Sequence, residues 1–112
     1  MALVFRAIKN DPPQAEDFQS YWDQRGRPAR KTSPTQIRTY QSVSTFDSLE
    51  KAREKALAIG LGSHIAELEV PDSVKRTVKA SGHIDLEGTT PDELLGYVVR
   101  VHPLHEGGTL PS

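Results

Sequence analysis

The apolar residues of this chain fall into short blocks whose spacing changes from block to block. Residues 2–8, ALVFRAI, are apolar on both parities apart from Arg6, the mark of a strand covered on both faces. In PPQAEDFQSYWDQ, residues 12–24, Phe18, Tyr21 and Trp22 stand at i, i+3, i+4 spacing and predict a helix. Asp11 before Pro12 and Pro13 fits its start, and Gly26 its stop. IRTYQSV, residues 37–43, reads as a weaker strand. Asp47 with Glu50 three residues on forms a capping-box pattern at the head of a helix over 47–59. Leu49, Ala52, Ala56 and Ile59 are its apolar stripe, and Gly60 or Gly62 ends it.

The second half is richer in strands. HIAELEV, residues 64–70, alternates, with Ala66, Leu68 and Val70 on one face and Glu67 and Glu69 on the other. VKRTVKA and HIDL are short strand candidates. Thr90-Pro91-Asp92-Glu93 combines an N-cap hydroxyl, Pro at N1 and Glu at N3, a strong start for a brief helix. YVVRV then reads as a buried strand ended by Pro103. The order predicts an α+β fold: a twisted mixed or largely antiparallel sheet with two main helices and one short helix. A ferredoxin-like sandwich is the competing arrangement. Residues 3–8 and 97–102 are expected as central strands, with the 47–59 helix laid on the sheet.

At 112 residues the chain fits one domain, placed at 1–104, with 105–112 as a flexible tail. A net charge of −1 argues against binding nucleic acid by bulk charge, and the lack of cysteine removes disulfides and thiolate metal sites. No stretch approaches the roughly 18 apolar residues of a membrane span. The start, MALVFRAIK, is broken by Arg6 and Lys9 where a signal peptide would be apolar, so a cytoplasmic location is expected, with no membrane partner. Charge is concentrated in one place. A loop at about 25–37 and its flank carry Arg25, Arg27, Arg30, Lys31 and Arg38 without an acid. That loop is either a solvated segment or a surface for a protein or nucleic-acid partner.

Candidate chemistry begins with Arg6, which sits among Val4, Phe5, Ala7 and Ile8. A cation there must meet a carboxylate, backbone carbonyls or an anionic ligand, or else snorkel to solvent. Ser42, Ser44 and Thr45 precede a helix start, where hydroxyls either cap and turn the chain or donate to a ribose or phosphate. His83 is a candidate polar anchor or proton carrier, and Tyr40 a candidate base-stacking ring or a half-buried strand residue. His102, His105 and Glu106 lie beside the tail without a further ligand nearby in sequence, and no metal is expected.

An early strand with a central Arg, a Ser-Thr pair closing a later strand before FDSLEKAREKA, and then IAELEVP together resemble the ADP-ribosyltransferases of the Arg-Ser-Glu branch. The likeness runs from about residue 3 to 101, on a specific motif of two or three residues. By position Arg6 matches the family Arg, and Ser44-Thr45 the first two residues of its Ser-Thr-Ser motif, with Phe46 in place of the second Ser. The resemblance implies NAD or a related nucleotide as ligand, with Arg6, Tyr40, Ser44, Thr45 and His83 as binding residues. It also implies a catalytic acid late in the chain, for which Asp85 and Glu87 are nominated, although Asp85-Leu86-Glu87 lacks the family's first Glu or Gln. A non-catalytic member of that fold, or a non-enzymatic interaction module, are the alternatives.

Overall fold

The computed structural model describes residues 1–20, 34, 41–60 and 62–104. Along the chain run β1 (Ala2–Ile8), a 3-10 turn (Ala15–Phe18), β2 (Val43–Phe46), α1 (Leu49–Ile59), β3 (His64–Val70), β4 (Lys75–Val78), β5 (His83–Glu87), α2 (Pro91–Gly96) and β6 (Val98–Pro103). The strands form one six-stranded sheet in the order β4-β5-β2-β1-β3-β6. Every neighbouring pair is antiparallel. The α+β class holds, and the sheet is antiparallel throughout rather than mixed.

Two-residue alternation along each strand builds a core on each face of the sheet. Val4 and Ile8 of β1 share one face with Val43, Ala66, Leu68, Val70, Ile84 and Leu86, and Phe18 of the turn and Leu94 of α2 close over them. On the opposite face Ile65 meets Ala52 and Ala56 of α1, with Phe5, Ala7, Phe46 and Leu49 packed around. Each fully buried Leu or Ile in these layers contributes about 1.5–3 kcal/mol of apolar burial. Because α1 and α2 lie on opposite faces, the arrangement differs from a sandwich that keeps its helices together.

The helix ends follow local chemistry. Thr90 Oγ1 accepts from Glu93 N at 3.2 Å while Glu93 Oε1 accepts from Thr90 N at 3.0 Å, the reciprocal box expected from the sequence. At α1 the cap lies one residue later than the spacing suggests. Ser48, extended at φ −144°, accepts from Lys51 N, and Asp47 instead pairs with Lys51 Nζ at 3.0 Å. Gly60 ends the helix at φ +68°, a left-handed conformation natural to glycine. Gly62 is required for a different reason: a Cβ there would stand 2.6 Å from Ile8 O.

Four expectations are corrected. The YVVRV run is an edge strand, not a central one, because β6 ends the sheet beside β3; Arg100 pairs with Glu67 and Val98 with Leu68, so Val99 is an extra residue at a bulge and is 52% exposed. Ile59 turns out of the α1 stripe and is half exposed, which leaves Leu49, Ala52 and Ala56 as the packing face. Where a helix over 12–24 was expected, the described part is a single 3-10 turn. The two prolines hold the approach extended, and the Asp17 carboxylate takes the Gln14 N–H at 2.9 Å. Of IRTYQSV, only Val43 belongs to the strand among the described residues, Ser42 being a bend. Tyr21, Trp22, nearly all of the basic loop and the 105–112 tail lie outside the described residues.

Candidate functional site

β1 is paired along its whole length with β3, from Ala2↔Val70 to Ile8↔His64, but meets β2 at Phe5↔Phe46 alone. Beyond that pair the two central strands share no register, and a cleft of about 670 Å³ opens there, walled on one side by α1. Its described lining combines Ala7, Phe46, Ala52, Ala56 and Ile59 with Arg6, Lys9, Ser42, Ser44, Lys55 and His83, and with the acids Glu16 and Asp17.

Arg6 spans the opening. Its Nε donates to Asp17 O at 2.8 Å, its Nη1 to Ser44 O at 2.8 Å and its Nη2 to Gln19 O at 3.3 Å. Three carbonyls on two separate segments therefore receive the guanidinium, and the side chain ties the 3-10 turn to β2 across the gap. The turn is fixed again by Asp17, only 8% exposed, which accepts from Lys9 N and Gln14 N, both at 2.9 Å.

Ser44 and Thr45 face opposite ways, as neighbours on a strand must. Ser44 is half buried and lines the cleft. Thr45 is fully buried on the other face, where its hydroxyl donates to Ile84 O at 2.7 Å. Thr45 is thus a structural residue, and Ser42, two positions from Ser44, takes the lining place.

His83 sits directly opposite Phe46 in the β2–β5 pairing, their rings 5.2 Å apart and tilted by 48°. Asp85 lies opposite Ser44 and Thr77 but is 4% exposed. Its Oδ2 is 3.1 Å from Lys79 Nζ and its Oδ1 2.9 Å from His83 Nε2. Glu87 pairs with Lys75 at the far end of β5. Neither acid is among the described lining residues. Tyr40 lies outside the described residues.

The nominated residues thus divide. Arg6, Ser44 and His83 converge on one cleft from three strands, while Thr45, Asp85 and Glu87 are not among its described lining residues. Lys9, Lys55, Phe46 and Ile59 were not nominated. Lys9 and Lys55 carry no sequence signal beyond their charge, whereas Phe46 stood beside Ser44-Thr45 and shares the face of Ser44 by alternation.

Elsewhere His102 Nε2 is 2.8 Å from Glu67 Oε1, and His105 and Glu106 lie outside the described residues. Among the described residues no helix is long and apolar enough to cross a membrane. Comparison with protein families, with curated proteins and with solved structures finds no match to this chain.

Proposed function

We propose that the chain is an ADP-ribosyltransferase-like domain whose cleft between β1 and β2 binds NAD or a related nucleotide. The observation that carries this reading is the meeting of Arg6, Ser44 and His83, brought from β1, β2 and β5 to one concavity. A volume near 670 Å³ falls in the range of small-molecule sites. The wall of Ala7, Ala52, Ala56 and Phe46 offers apolar surface to a flat base, because three of these four side chains are too small to fill the space. Ser44, Lys9 and Lys55 offer hydroxyl and cationic groups to sugar and phosphate.

Binding is the extent of the reading. Transfer of ADP-ribose needs a carboxylate at the reacting ribose carbon, and the Asp85 carboxylate is instead buried against Lys79 and His83. Arg6 contributes by holding the mouth of the cleft in shape, its donors being turned to main-chain carbonyls.

Thermal unfolding with and without NAD or ADP-ribose tests the proposal. Ligand at about 100 times its dissociation constant stabilises the protein by roughly 2.7 kcal/mol, a clear rise in melting temperature for a domain of this size. Ser44→Ala should melt like the parent without ligand and show a smaller rise with it. Millimolar NAD that moves neither the melting curve nor ligand-observed NMR signals overturns the reading.

A further inference from the structure

His83 is held by its backbone and by its ring. Its carbonyl accepts from Lys79 N at 2.8 Å, and its ring lies on Phe46. Gly82 before it, at φ +82°, accepts at its carbonyl from Asp47 N at 2.9 Å, and a Cβ there would run into the side chains of Lys51 and Asp47. The backbone is therefore held on one side by Asp47, just before α1, and on the other by Lys79, just after β4.

The two ring nitrogens stand in different surroundings. Nε2 is closed off from solvent 2.9 Å from Asp85 Oδ1, off the line of a hydrogen bond, and the Asp85 side chain is 6% exposed. A lone pair on Nε2 facing a buried carboxylate at that distance would be repelled, so the proton of the neutral ring is inferred to sit on Nε2. Lys79 Nζ, 3.1 Å from the other carboxylate oxygen, pairs with Asp85 and holds it in place. The side chain of His83 is nevertheless 29% exposed. That exposure belongs to the remainder of the ring, where Nδ1 has no hydrogen-bond partner among the described residues. With the proton on Nε2, Nδ1 carries a lone pair and accepts.

We propose that His83 Nδ1 is the cleft's acceptor for a sugar hydroxyl, with Asp85 and Lys79 as positioning residues that fix its tautomer. This deepens the nucleotide reading and rests on it. Ser44 lies diagonally across the β2–β5 pair on the same face, a separation of roughly 7–8 Å between such positions, which a ribose can span. The chemistry selects a ligand with a free ribose hydroxyl over its deoxy counterpart, because only the hydroxyl has a proton to give.

Calorimetric titration of the wild-type protein and of His83→Phe with NAD and with its singly deoxygenated ribose analogues reads this directly. The phenyl ring keeps the contact with Phe46 and removes both nitrogens. For wild type, one deoxy analogue should bind about tenfold more weakly than NAD, and in His83→Phe the two should bind alike. His83→Asn serves as a second variant. The tautomer is measured independently on unliganded wild-type protein by long-range nitrogen–proton NMR of the imidazoles, where a proton on Nε2 is expected. NAD binding unchanged by both variants, or a neutral His83 protonated on Nδ1, overturns this inference and leaves the nucleotide reading standing. Absence of NAD binding by wild type overturns the nucleotide reading, and the sugar assignment with it, whatever the tautomer.

Discussion

Arg6 shows how far a single residue can be read from its neighbours. A guanidinium inside an apolar strand had either to be paired or to reach solvent, and that much follows from the cost of burying charge. Its partners could not be read, because carbonyls 11, 13 and 38 residues away leave no mark in a sequence. Replacing Arg6 with Met keeps its length and strands those carbonyls, and should cost about 3 kcal/mol in chemical denaturation. Thr90 is the opposite case, a local motif visible in four consecutive letters. Thr90→Ala should lower stability by about 1 kcal/mol, and an unchanged midpoint would mean that the box carries nothing. Ser48 and Asp47 are separated by the same measurement: Ser48→Ala should cost about 1 kcal/mol, and Asp47→Ala, which loses only an exposed ion pair, about 0.5 kcal/mol or less.

At the scale of elements, periodicity located the strands better than it ranked them. HIAELEV alternates and became β3, whose apolar positions are buried as the pattern requires. ALVFRAI and YVVRV look equally apolar, yet one is central and the other an edge. The difference lies in the strand order, which leaves β6 with a single neighbour, and a bulge opposite Glu67 and Leu68 then turns Val99 outward; neither is written in the apolar pattern of the strand itself. Substitution should separate the two. Leu68→Ala removes a fully buried side chain and should cost about 2–5 kcal/mol, whereas Val99→Thr should change stability by about 0.5 kcal/mol or less. Over the described residues 12–20 the predicted helix gives way to a single turn for a related reason. Phe18 was read as part of a helical stripe, but Asp17 spends its carboxylate on loop N–H groups and Phe18 reaches the core from a single turn.

For the whole molecule, the strand order brings residues 6, 44 and 83 together although nothing local links them. Strand alternation explains why only part of the nominated set arrives: Ser44 and Thr45 are neighbours in sequence and must point to opposite faces. The cleft itself was not legible, since it arises from a single shared pair between β1 and β2, a property of two strands separated by most of the first half of the chain. The most direct test of that cleft is an NMR titration of the full chain with NAD, following backbone amides. Binding between β1 and β2 predicts the largest shifts at residues 6–10, 16–20, 42–46, 52–59, 62 and 83, with β4 and β6 unmoved. Saturating NAD that shifts no amide, or shifts chiefly those of β4 or β6, would contradict it.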